Sequence, residues 1–269
     1  MFIRKISYLY NTFFKMRNVT QPVMMKIKDR FSILERKQHL AYSFFTICFL
    51  HTGYSQNNGY TLKKEYGING TVKSVTSYMV EVSRYTIPAD TLNFFGKSKM
   101  VFTKSGDLSV YNRMFNMPDY TFKSHAVYTG TGKNISYNET SSLNSNPPQK
   151  AHFRFIWTDN HHYKIVSGDK KDPSVQYISL NQDFTIDKVV FEREHYRSEE
   201  QAQYTYNGSK PEKITYTVTT TENGETKITE DHRIIKSTDI YDNPTVIYFY
   251  EKAESRVPKS VVFKYYEYY

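Results

Sequence analysis

The chain reads as all-β: antiparallel β-hairpin repeats stacked into a curved or solenoid-like sheet, behind a helical, apolar N-terminal leader. Three observations predict this. Apolar and polar residues alternate with period two along many short segments, which sets one side of each segment against a core. Tyr (25 residues) and Phe (18) dominate together with Val, Ile and Thr, the side chains that suit a pleated, partly buried surface. A unit of strand, turn and strand also recurs along the chain.

The leader comes first. Residues 1–56 carry nine basic side chains (Arg4, Lys5, Lys15, Arg17, Lys26, Lys28, Arg30, Arg36, Lys37) against Asp29 and Glu35, so of the formal charge of +9 only +2 belongs to residues 57–269. The basicity sits in the leader, and the near-neutral remainder argues against a nucleic-acid partner. A basic stretch, the apolar run Leu40 to Leu50, and small side chains at Gly53 and Ser55 form a secretory signal cut after Ser55, with the mature chain starting at Gln56. The run is too short to cross a hydrocarbon layer of about 30 Å as a helix. Residues 1–24 read as an upstream extension, with Met25-Lys26 the ordinary start. Cys48, the single cysteine, lies inside the apolar run, so the mature chain has neither disulfide nor thiolate metal site. Phe45-Thr46-Ile47 lacks the small residue that precedes a lipid-modified cysteine. The expected location is exported: periplasm, outer-membrane surface or extracellular.

Residues 56–269 form the repeat β domain. Val72, Ser74, Thr76, Tyr78, Val80 and Val82 share one face of the first strand, with Lys73, Ser77, Glu81 and Ser83 on the other. Further strands are predicted at 99–103, 108–115, 153–157, 175–180, 185–192, 245–250 and 261–268. Ile214, Tyr216 and Val218 alternate up to Asn223-Gly224, whose positive φ angles suit a tight hairpin, and a second run holds Ile228, Ile234 and Ile235. Residues 198–203 allow at most a short turn. Lys97 to Asn112 (KSKMVFTKSGDLSVYN) recurs 26 positions later at Lys123 to Asn138 (KSHAVYTGTGKNISYN), and looser copies follow. One hairpin cannot bury its own apolar face, whereas stacked hairpins can. The polar, Pro-containing segment NETSSLNSNPP marks a surface loop or boundary near 138–150.

Tyr204-Thr205-Tyr206-Asn207-Gly208 and Ile240-Tyr241-Asp242-Asn243, each followed by an aliphatic and aromatic strand, resemble the tyrosine-aspartate (YD, or RHS-like) repeats of bacterial secreted and envelope proteins. Lys64 to Val75 (KEYGINGTVKSV) is similar to the start of small exported repeat proteins of Gram-negative bacteria. The resemblance spans residues 60–269 and implies binding, encapsulation or scaffolding rather than one reaction.

No catalytic, cofactor or metal residue is assigned. His152, Asp159, His161 and His162 are the densest ligand cluster, but adjacent histidines on a strand face opposite ways and no second group has ligand spacing. Gly130-Thr131-Gly132-Lys133-Asn134 lacks the first glycine of a phosphate loop, and Asn134 replaces its Ser or Thr. Tyr128, Tyr137, Trp157, Tyr206 and Tyr216 are the candidate aromatic binding surface, since each ring offers an apolar face and a polar edge. The expected function is a non-catalytic binding or scaffolding role, with an envelope polysaccharide or protein as partner.

Two alternatives accompany it. Glu192, Glu194, Glu199, Glu200, Glu230 and Asp231 offer acids for a glycan hydrolase. The terminal strand Val261 to Tyr269 suits an outer-membrane barrel. Polar residues on both faces of 217–232 weigh against the barrel, so the mature domain is expected not to span a membrane.

Overall fold

The computed structural model describes residues 59–83, 86–168, 174–207 and 210–269. The leader, its cut after Ser55 and Cys48 lie outside them. Among the described residues, one helical turn, α1 (Leu62–Glu65), precedes fourteen strands. These are β1 (Val72–Glu81), β2 (Phe94–Phe102), β3 (Leu108–Met117), β4 (Tyr120–Thr131), β5 (Asn134–Leu143), β6 (Gln149–Trp157) and β7 (His162–Ser167), followed by β8 (Val175–Leu180), β9 (Ile186–Arg193), β10 (Tyr196–Asn207), β11 (Lys210–Glu222), β12 (Glu225–Thr238), β13 (Pro244–Tyr250) and β14 (Ser260–Tyr268). Each pairs antiparallel with its neighbours in sequence. β14 then returns to pair with β1, from Val72↔Tyr268 to Glu81↔Ser260, and the sheet closes into a barrel.

That last ladder corrects the expected architecture. A solenoid-like or curved open sheet leaves its first and last strands as edges, whereas here every strand has two partners. The chain is therefore not a stack of YD or RHS-like repeats, and a periplasmic solenoid with free edges for strand addition falls with it. The two copies of the 26-residue unit are the β2–β3 and β4–β5 hairpins, one up-and-down pair each of a continuous meander. Residues 138–143 belong to β5 and 198–203 to β10, where a loop and a turn were expected.

Closure also corrects the expectation, drawn from the polar residues of 217–232, that the domain is no barrel and so does not span a membrane. Hydrocarbon accepts strands only when no backbone group is left unpaired, and a closed barrel meets that condition where an open sheet does not.

The turns explain the meander locally. Asn223 (φ 51°) and Gly224 (φ 86°) both take positive φ in the two-residue β11–β12 turn, as expected of Asn-Gly. At the β4–β5 turn, Gly130 has φ 89°, and a Cβ there would lie 1.8 Å from the Asn134 carbonyl oxygen. Gly132 gives its N–H to the Asp107 carboxylate (3.0 Å), so this glycine-rich stretch is a hairpin turn rather than an anion cradle.

Alternation sends the core side chains inward. Val75 and Met79 of β1, Met100 and Phe102 of β2, Tyr111 and Phe115 of β3 and Phe122 of β4 are all at most 2% exposed. Gly96 lets the Phe115 ring and Met79 meet where a Cβ would stand 3.2–3.3 Å from both. Charged groups also face inward, in pairs: Arg113 with Glu139, and Arg233 with Asp231. Arg233 additionally lies 3.9 Å from the Tyr216 ring centroid.

Residues 59–71 plug the end of the barrel where β1 starts. Thr61 caps α1, its hydroxyl accepting from the Lys64 N–H, and the Lys63 N–H donates to the Gly106 carbonyl at 3.0 Å. Tyr60, Leu62, Tyr66 and Ile68 join the core. Glu65, 1% exposed, accepts hydrogen bonds from the Tyr60 and Tyr163 hydroxyls. Burial pushes its carboxyl up to about 7, against the pull of those two bonds.

Candidate functional site on the barrel wall

The first strand is apolar on both faces, and its outward side explains the most distinctive part of the wall. Val75 and Met79 enter the core, while Tyr78 and Val80 face the other way. Cross-strand register extends this into a row of direct partners over five strands: Ile234, Tyr248, Val261, Val80 and Phe94. A second row runs Val246, Phe263, Tyr78 and Lys97. Tyr78 meets Phe94 and Tyr265 edge-on, at 5.3 and 5.9 Å between ring centroids. Val261 and Val80 are fully and nearly fully shielded, yet lie outside the continuous core. The sector thus has an apolar layer of its own, from which Tyr265 stands out 53% exposed.

Lysines frame it. On one side Lys97 Nζ sits 4.9 Å from the Tyr78 centroid, and on the other Lys236 Nζ sits 5.3 Å from that of Tyr248. Elsewhere the outward positions mix polar and apolar side chains: His125 on β4 holds Asn112, His152 on β6 holds Asn138, and Arg197 on β10 pairs with Glu192 and Glu199, while Val127, Ile156 and Tyr177 stand 39–42% exposed. The sector from β12 to β2 is set apart by its clustered rings and flanking lysines.

Four of the five aromatics singled out in the sequence, Tyr128, Tyr137, Trp157 and Tyr216, face the barrel interior. Tyr128 and Tyr137 stack at 4.8 Å against the core, Trp157 packs on Tyr60 at 4.6 Å, and Tyr216 is 1% exposed beneath Arg233. Tyr206 is 42% exposed beside Tyr204. The aromatic residues that do gather outside, Tyr78, Phe94, Phe263 and Tyr265, carry a signal in the sequence: strands whose both parities are apolar.

Asp159, His161 and His162 form a turn. Asp159 accepts the His161 and His162 N–H groups and the His162 ring, and the His161 amide first among these holds its carboxyl below the usual carboxylate range. His152 is engaged on β6 with Asn138. Among the described residues no group of three His, Cys, Asp or Glu is placed to hold a metal. Of the six acids considered for hydrolysis, Glu192 and Glu199 face outward onto Arg197, whereas Glu200 and Asp231 are buried.

No family model matches the chain, and no curated protein matches it. Among solved structures, a porin-like protein from Bacteroides uniformis matches at 9% identity, covering 74% of this chain and 99% of that one, with a TM-score of 0.27.

Proposed function

We propose that the chain is an exported β-barrel of the outer membrane that meets a lipid surface bearing anionic headgroups through the wall sector of β12, β13, β14, β1 and β2, and acts by contact rather than catalysis. The observation that carries this is the aromatic sector framed by Lys97 and Lys236. Tyr and Phe side chains favour the boundary between hydrocarbon and headgroups, and lysines near that boundary gain roughly 1 kcal/mol each from an anionic leaflet. This replaces the scaffold role inferred from repeats, which required an open sheet. The signal-like leader supports export.

Expression of the full chain with its leader in a Gram-negative host, followed by membrane fractionation, tests it. Recovery with the outer membrane, reduced several-fold by the combined substitutions Tyr78→Ser, Phe263→Ser and Tyr265→Ser in a protein that still folds, is the expected result. Recovery in the soluble fraction at the same level for both proteins contradicts it. Resistance to carbonate extraction would extend the contact to the whole wall.

A further inference from the structure

The outer wall carries its charge unevenly. β2 to β7, six of the fourteen strands and roughly 150° of the circumference, hold a single carboxylate, Glu139, and it faces inward onto Arg113. Strand alternation sends Met100, Phe122, Phe155 and Ile165 toward the core and leaves Lys97 and Lys99 of β2, Lys123 of β4, Lys150 and Arg154 of β6 and Lys164 of β7 outside. The nearest acids in sequence, Asp107, Asp119 and Asp159, lie in turns, where Asp107 holds the Gly132 N–H and Asp159 the His161 and His162 N–H groups. Among the described residues none of the six cations is ion-paired. Glu267 of β14, held by Ser74 at 2.7 Å, is near enough to feel Lys99. β9 and β10 are different, because Arg197 meets Glu192 and Glu199 there and Lys188 meets Glu199.

Register joins the six into one field. Lys97 and Lys123 flank Met114, two strands apart, while Lys99 and Lys150 end a row that runs through Asn112, His125 and Thr140. At about 4.8 Å between strands, those pairs stand roughly 10 and 19 Å apart along the wall. Lys97 also covers the Tyr78 ring, so the field begins where the aromatic sector ends. Permanent cations are disfavoured against acyl chains, and this arc therefore meets water or anions.

We propose that the wall of β2 to β7 binds the acidic sugar headgroup of a lipopolysaccharide-type glycolipid, whose phosphates and carboxylates pair with these lysines and Arg154 beside the aromatic sector. The inference rests on the lipid contact proposed above and names its partner. A flat phospholipid leaflet touches a convex wall along one strip, whereas sugars that stand out from the leaflet reach the arc next to it. Cations spread over six strands suit several anionic groups on one extended headgroup better than a single phosphate. Val127 and Ile156, 40% and 39% exposed among the cations, offer apolar ground for the C–H faces of sugar rings.

Co-sedimentation of the purified full chain with phosphatidylethanolamine vesicles tests this, the vesicles carrying either phosphatidylglycerol or a phosphorylated rough lipopolysaccharide at matched charge. Wild type should bind the lipopolysaccharide vesicles about ten-fold or more tightly than the phosphatidylglycerol ones. The combined substitutions Lys123→Ser, Lys150→Ser and Arg154→Ser, all at exposed positions, should abolish that preference and leave binding to phosphatidylglycerol near the wild-type level. Equal affinity of wild type for the two vesicles leaves the lipid contact standing and overturns this assignment, as does a preference that survives the triple substitution. No binding to either vesicle overturns both readings. Binding of soluble polyglutamate as tight as that of lipopolysaccharide vesicles, lost in the same variant, would give the wall to an acidic protein instead.

Discussion

The Tyr163 hydroxyl of β7 donates to the Glu65 carboxylate of α1 at 2.8 Å, a contact between residues 98 positions apart that ties the plug to the barrel wall. Because burial raises the folded-state value of Glu65 to about 7 from the ordinary 4.5, the folded protein holds a proton there that the unfolded chain releases. Stability from this group is full below about 4.5, declines as pH rises to about 7, and levels off above it. The total change is at most about 3 kcal/mol. Chemical denaturation between pH 4.5 and 8 should show that decline in the wild type. Glu65→Gln should flatten it.

The buried pair of Arg113 and Glu139 predicts an asymmetric response. The two side chains are 5% and 1% exposed, and Arg113 also donates to Ser124 at 2.8 Å. Glu139→Leu alone strands a guanidinium in the core and should cost about 3–5 kcal/mol in denaturant unfolding. Adding Arg113→Met to it should recover much of the loss, since two apolar side chains of similar volume leave no unpaired charge.

Two turn glycines separate backbone strain from collision. Gly224→Ala meets nothing within 4 Å and suffers only from its φ of 86°, about 1 kcal/mol. Gly130→Ala adds a Cβ that would lie 1.8 Å from a carbonyl oxygen, so the β4–β5 turn must rebuild. The unfolding midpoint should drop more for Gly130→Ala than for Gly224→Ala.

Much of the local structure was legible in the sequence. Period-two alternation marked most strands, Asn223-Gly224 marked its turn, and the repeat at 97–138 marked two successive hairpins. Closure was not legible, because the pairing of β1 with β14 joins segments at opposite ends of the described chain and depends on the accumulated twist and tilt of twelve strands between them. The face of β1 was misjudged for a related reason. Val72, Tyr78 and Val80 look like one stripe, but the register shift between Val72 and Ser74 breaks the alternation, so Val72 enters the core with Val75 and Met79 while Tyr78 and Val80 face outward. The second half of β5 reads as loop because Glu139 and Ser141 are polar; they face inward, where Arg113 offsets the Glu139 charge.

The acids divide in the same way. Glu199 and Glu200 are adjacent and chemically alike, and strand parity alone sends one to Arg197 outside and the other into the barrel. A sequence without a known register gives them equal weight.

Closure is tested most directly by a disulfide across the β1–β14 ladder. Ser74 and Glu267 are direct partners whose side chains already meet at 2.7 Å, and facing residues on paired strands lie about 4.5–5.5 Å apart, within a disulfide's reach. In a Cys48→Ser background, Ser74→Cys with Glu267→Cys should oxidise to an intramolecular bond in the folded monomer, detected as a loss of two hydrogens by intact mass and of both free thiols. Two thiols that stay free under oxidation, or that link only between molecules, would contradict the closed barrel.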